Sequence, residues 1–297
     1  ISTYLWQQVE GYPINIFSGD QQVATFYSPA TNSQLSFTLT VFDEQGLMDK
    51  DTTNVFVSFC PERLSEGNAI DGFKTIPVII DTDIGSDIDD TWALAMAFGC
   101  PELDIKLITT CTGDTTYRAK IVCKFLEHVG HTEIPVGLGL TFDSLSENQR
   151  AYIDGYQLRD YPGEIVDDGV RAMADIIMQS EETVTLICLG PLQNIQKLLQ
   201  IEPRITKKVR FVGMHGAIFR GYKGTNDVQA EYNIVQLVDS AKAVFSSDLD
   251  MTITPLDTCG MIRLEGENYQ AVAKATNKTM IEAVSYTHLT LPTIYSV

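Results

Sequence analysis

The run Ile76-Pro77-Val78-Ile79-Ile80 leads directly into five carboxylates, Asp81, Asp83, Asp87, Asp89 and Asp90, and then into the Ala- and Leu-bearing segment Trp92 to Phe98. A short β-branched run with few polar interruptions reads as a strand buried on both faces, the kind found in parallel sheets covered by helices. The segment after the acids reads as a helix packed behind that strand. The carboxylates therefore lie at the carboxyl end of a strand, beside the N–H groups that open a helix, where open α/β sheets place their ligands.

Capping explains one or two of these Asp residues. The others repel one another unless protonated, hydrated or neutralised by a cation, and oxygen-only ligands select a hard ion such as Ca2+ or Mg2+. A bound divalent ion is the expectation carried forward.

The strand ending Asp81-Thr82-Asp83-Ile84-Gly85, followed by Asp89-Asp90, resembles the signature of the inosine-uridine-preferring nucleoside hydrolases, which cleave ribonucleosides with a bound calcium. The family spacing is one residue shorter. Ser86 to Ile88 thus carries an insertion, Asp89 and Asp90 become the matching pair, and Asp87 is extra.

Three further segments carry the resemblance. In Cys111-Thr112-Gly113-Asp114, Asp114 stands where the family tends to have an Asn that contacts the ribose or the metal-site water. Leu189-Gly190-Pro191-Leu192-Gln193-Asn194 resembles the family's Gly-Pro-Leu-Thr-Asn turn, which implies that the Leu189 carbonyl coordinates calcium. A backbone ligand is indifferent to its side chain. Met214, Glu231 and Asn233 match residues that line the ribose pocket, and Asn226 is the nearest candidate for a further pocket Asn.

The resemblance implies a metal set of Asp83, Asp90 and Leu189, with Asp83 as catalytic base and Asp89 among the ribose ligands. It also implies a final calcium ligand, an Asp preceded by a His, from a helix nearer the C-terminus; no His-Asp pair follows Asp257. Residues 284–297 read as a non-native tail, so the chain as written is expected to bind metal weakly and turn over poorly. His215 stands where the family commonly has Gly, and two readings stay open: a packing or surface imidazole, or an acid for the leaving base.

From Ile76 onward apolar strands and helical segments alternate, which predicts an α/β fold: an open, mostly parallel sheet with helices on both faces. Strands are expected at Ile105–Thr110, Ile134–Leu138, Thr183–Leu189 and Val209–Met214, and helices at Tyr117–His128, Gly169–Met178 and Leu192–Leu199. Residues 1–58 differ. Leu35, Phe37, Leu39 and Val41 alternate with Ser36, Thr38 and Thr40, the pattern of a half-buried strand, and suggest a β-sandwich. Tyr4 to Gln8, Leu35 to Val41 and Asp49 to Thr52 resemble the later strands of a polycystic-kidney-disease-type immunoglobulin-like repeat, with Trp6 as its core tryptophan. Such a partial module points to export. Residues 59–75 read as a linker, and 76–283 as the incomplete hydrolase-like domain.

A formal net charge of −18 over 297 residues argues against nucleic-acid or anionic-membrane partners, and no run reaches membrane-spanning length. The expected partner is a small nucleoside; family members are commonly homo-oligomers. The six cysteines lack zinc-like spacing and read as small buried residues, with a reactive thiol as the alternative. Two rival functions share the acidic strand. Asp81 and Asp83 could serve a haloacid dehalogenase-type phosphatase, but Gly85 stands where that class wants Thr or Val. Asp81 to Asp90 could also be a structural calcium loop in an adhesion protein, a reading that leaves Met214 and Glu231-Tyr232-Asn233 unexplained.

Overall fold

The computed structural model describes residues 3–57 apart from 23, 27–32 and 44, residues 75–262 apart from 101 and 143–146, and residues 266–274 and 279. The expected tail lies outside the described residues, as does most of the expected linker. The chain divides into two compact units, Ile1–Asn68 and Ala69–Val297.

In the first unit, strands β1 (Thr3–Glu10), β4 (Ser33–Phe42) and β5 (Met48–Val57) form an antiparallel sheet in the order β1-β4-β5, and β2 (Ile16–Phe17) pairs with β3 (Thr25–Phe26) as a short ribbon. The alternation in β4 is real only in part, because Leu35, Ser36, Phe37 and Thr38 are all buried. One three-stranded sheet and a two-residue ribbon fall short of the two facing sheets of a sandwich. The immunoglobulin-like expectation is reduced to this coarser description.

The second unit is built on a seven-stranded parallel sheet. It contains β6 (Ile76–Thr82), α1 (Asp89–Phe98), β7 (Leu103–Thr110), α2 (Thr115–Val129), β8 (Val136–Leu138), β9 (Ile165–Val166) and α3 (Gly169–Gln179). Then come β10 (Val184–Cys188), α4 (Gln193–Ile201), β11 (Val209–Gly213), α5 (Tyr232–Gln236), α6 (Val238–Phe245), β12 (Asp250–Ile253) and α7 (Gly266–Ala273). The strand order is β12-β11-β10-β6-β7-β8-β9. The chain runs outward from β6 through β9, returns to the other side of β6 as β10, and runs outward again. The order therefore reverses between β6 and β10, and the crevice at their carboxyl ends is the topological switch point.

Burial on both sides of β6 explains its continuous apolar run. Ile80 joins Ile108, Val136, Leu94, Ile121 and Phe125 in a core layer shared with α1 and α2. Ile79 joins Leu107, Leu186, Phe211, Met173 and Leu198 in a second layer under α3 and α4. Each such fully buried side chain contributes about 1.5–3 kcal/mol relative to exposure. Two ladders and two core layers thus fix the strand whose end carries the acids.

Candidate active site

Asp81 is the last inward-facing acid of β6 and is 1% exposed. Its Oδ1 accepts from Thr109 Oγ1 at 2.6 Å on β7 and from Asn194 Nδ2 at 2.8 Å on α4, while Oδ2 is buried without a hydrogen-bond partner. Burial raises its carboxyl to about 6. Asn194 also donates to the Thr110 carbonyl at 3.1 Å and accepts from Leu140 N–H at 2.8 Å, so one amide ties together three neighbouring segments at this end of the sheet.

Two residues on, Asp83 is also buried. Burial raises its carboxyl, the Arg118 cation opposes that, and Asp89 and Glu231 raise it further, giving about 6. The side chain packs on the turn after β10: a Cβ added to Gly190 would lie 2.7 Å from Asp83 Oδ1. Asp90 opens α1, accepts a hydrogen bond from Thr82 Oγ1, and is pushed well above the usual carboxylate range by burial and by Asp83 and Asp89. Asp89 is exposed beside them, and the extra Asp87 interacts with both Asp89 and Asp83. Gly85 sits at a φ of +106°, where a Cβ would also strike Ile121 and Tyr117 at 2.7 Å, so the turn between the acids requires glycine.

The other expected pocket residues reach this centre unequally. Asn233 is buried, and its Nδ2 donates to the Leu189 carbonyl at 2.7 Å and the Met214 carbonyl at 3.0 Å, with Met214 Sδ at 3.6 Å. The expected backbone ligand thus lies beside Asp83's turn but faces the Asn233 amide. Glu231 caps α5: its oxygens accept from Asn233 N–H at 2.7 Å, Ile234 N–H at 3.1 Å and Gly216 N–H at 3.0 Å. Asp114 is exposed and caps α2 by accepting from Thr116 N–H at 2.9 Å and Tyr117 N–H at 3.0 Å. Asn226 is exposed and accepts from Arg220 at 2.7 Å. In this arrangement the Asp114 side chain caps α2 and that of Asn226 pairs with Arg220.

His215 is 1% exposed, with Nε2 donating to the Gly190 carbonyl at 3.1 Å and the ring lying against Phe211 and Phe245. Burial lowers it to about 4, so it is neutral near pH 7 and packs behind the Gly190 turn. Cys111, Cys123 and Cys188 are buried, and burial raises all three thiols, as the packing reading expects, whereas Cys100 and Cys259 are only half-buried and Cys60 lies outside the described residues.

Do these residues suit a metal? The donors are all oxygens, the three carboxylates Asp81, Asp83 and Asp90 are buried at the switch point, and Asp81 Oδ2 lacks a partner, a set that suits a hard cation. Among the described residues no three His, Cys, Asp or Glu side chains form a complete metal cluster. An ion held here would need backbone oxygen and water beside these carboxylates.

Residues 78–293 match the family described as inosine-uridine preferring nucleoside hydrolase. The chain belongs to that family. A non-specific ribonucleoside hydrolase RihC of Klebsiella pneumoniae subsp. pneumoniae is 31% identical over 215 residues, covering 69% of this chain and 68% of the relative. The RihC of Salmonella schwarzengrund is 32% identical over 216 residues, with the same coverage. Among solved structures, the plant nucleoside hydrolase PpNRh1 superposes with a TM-score of 0.63 at 21% identity, covering 73% of this chain and 71% of that one. This nucleoside hydrolase-like chain thus shares its fold with the enzyme family, whose members typically use a metal ion, and the phosphatase and adhesion-loop readings are not favoured.

Sequence reasoning overlooked Arg118, Thr109 and Asn194 as supports of the centre. The only signal for Arg118 is its position, four residues after the cap Asp114, among the apolar residues Tyr117, Ile121 and Val122 of the buried face of α2.

Proposed function

We propose that the chain hydrolyses the N-glycosidic bond of ribonucleosides with the help of Ca2+, releasing ribose and a free nucleobase. The observation that carries this reading is the buried Asp83 carboxylate packed on Gly190 at the switch point, with Asp89 and Asp90 in electrostatic reach. Asp83, Asp90 and the Leu189 carbonyl would hold the ion. A divalent ion there supplies Lewis acidity that lowers the pKa of water.

Asp83 takes the proton as water attacks the anomeric carbon, which needs a carboxylate that is ionised near neutrality yet basic enough to accept a proton. In the metal-free chain burial raises this carboxyl to about 6, so it is ionised at neutral pH. Asp89, exposed at the rim, accepts from ribose hydroxyls, and the surrounding negative charge stabilises the oxocarbenium-like sugar. Met214 gives the pocket an apolar contact, and Asn233 fixes the Leu189–Met214 wall through its hydrogen bonds to both carbonyls.

The test is release of base from inosine and uridine by the purified chain in calcium and in chelator, with Asp83→Asn as control. Calcium-dependent release that drops at least a hundredfold in Asp83→Asn supports the reading. Release that is indifferent to both chelator and Asp83→Asn overturns it.

A further inference from the structure

Arg118 is a fully buried cation, 1% exposed, and is first in size among the described side chains that are less than 2% exposed. Its partners are neutral. Nε donates to the Thr112 carbonyl at 2.6 Å; Nη1 meets the Asp83 carbonyl, the Ile84 carbonyl at 2.8 Å and Ser86 Oγ at 3.1 Å. Desolvating a guanidinium costs several kcal/mol, and carbonyl dipoles recover only part of it. The rest of the compensation comes through space from the acidic centre, since the same cation lowers the proton affinity of Asp83.

The carbonyls gripped by Arg118 belong to two different strand ends. Residues 83–86 follow β6, and Thr112 follows β7. Thr112 is a β-branched residue held at a φ of +61°, a conformation that costs about 1–3 kcal/mol and persists only where its surroundings over-determine it. Those surroundings are visible: Gln193 meets the Thr112 hydroxyl at 2.6 Å, Thr112 N–H donates to the Leu140 carbonyl at 3.2 Å, and Arg118 takes the Thr112 carbonyl. The acidic turn is held from its other side as well. Asn148 N–H and Tyr117 Oη donate to the Gly85 carbonyl at 3.1 and 3.0 Å, and Asn148 Nδ2 donates to the Ser86 carbonyl at 2.5 Å.

We infer that Arg118 is a positioning residue: its fork draws the carbonyls of residues 83, 84 and 112 toward α2 and so leaves the Asp83 carboxylate aimed at the Gly190 turn. A planar guanidinium spans these acceptors and a single ammonium cannot. The inference rests on the hydrolase reading, with Asp83 as the acting group. It separates two roles for the cation. Charge alone weakens divalent-ion binding, because like charges repel; positioning strengthens it, because Asp83 is placed to coordinate.

The test compares the wild type with Arg118→Met and Arg118→Lys by steady-state hydrolysis of inosine, by calorimetric titration with CaCl2, and by circular dichroism. The expected result is that folded Arg118→Met loses at least thirtyfold in kcat with KM within about threefold, and binds Ca2+ at least tenfold more weakly although a positive charge has been removed. Arg118→Lys keeps the charge and lacks the fork, so it is expected to fall with Arg118→Met; it is also the variant to use should Arg118→Met not fold. Tighter Ca2+ binding in Arg118→Met, or wild-type kcat in Arg118→Lys, overturns the inference. An inactive wild type instead strikes the hydrolase reading, which keeps the two failures distinct.

Discussion

Asp83 Oδ1 and Gly190 are packed so closely that a single methyl group on the glycine would sit 2.7 Å from the carboxylate, with Cys111 Sγ at 2.7 Å on the other side. Real Cβ atoms do not tolerate such contacts, so Gly190→Ala must move Asp83. A displacement of about 1 Å in catalytic geometry costs on the order of a hundredfold in rate, and overpacking costs about 1–3 kcal/mol. Steady-state kinetics with inosine and thermal melting should therefore show both losses in this variant.

Calcium should stabilise the chain, and more so at neutral than at acid pH. Asp81 and Asp83 are raised to about 6 from an ordinary 3.8, so the folded chain binds these protons more tightly than the unfolded one. Without a cation, the contribution of these two carboxyls falls as pH rises from 3.8 to about 6, and Asp87, raised to about 8, and Asp90, raised well above the usual range, carry the loss to higher pH. Saturation at a hundredfold excess over Kd adds about 2.7 kcal/mol. Melting curves in CaCl2 against chelator at pH 5 and pH 7.5 measure this. A gain that shrinks on going to pH 7.5 contradicts a carboxylate-held ion.

His215 works in the opposite sense. Its folded value of about 4 lies below the ordinary 6.5, so the unfolded chain binds the proton more tightly. Its contribution is fully present above pH 6.5 and is lost as pH falls toward 4, by about 3 kcal/mol in total. Subtracting urea-unfolding free energies of His215→Gln from those of the wild type at pH 7.5 and 4.5 isolates this slope from that of the carboxylates. Equal differences at the two pH values would remove the assignment.

Asn194→Ala should destabilise by about 2–4 kcal/mol, because it removes the side-chain partner of the Leu140 N–H and of the Thr110 carbonyl and leaves Asp81 Oδ1 with Thr109 alone. The loss should appear in the chemical denaturation midpoint. Loss of activity should accompany it in protein that remains folded, through the freed Asp81.

Much of this was legible in the chain. The doubly buried β6 showed as an uninterrupted apolar run, and the acids after it could not all be caps. The expected strand at Val209–Met214 and helix at Gly169–Met178 differ by one residue at one end from β11 and α3. The edge strands β9 and β12 were missed: one is two residues long, and the other, Asp-Met-Thr-Ile, is mixed in polarity and pairs on one side only. Asp114 and Glu231 matched pocket positions, yet both cap helices, since a carboxylate just before a helix satisfies free N–H groups whatever else lies near. Arg118 was invisible because one arginine in an amphipathic helix normally faces water.

The placement of β6 between β7 and β10 has a bearing on how such a chain can diversify. Its reactive end is anchored by the innermost ladders, whereas the stretches after β8 and β11 emerge nearer the margins. Substitutions in those outer stretches should therefore disturb β6 and its acids less than substitutions in the flanking β7 or β10.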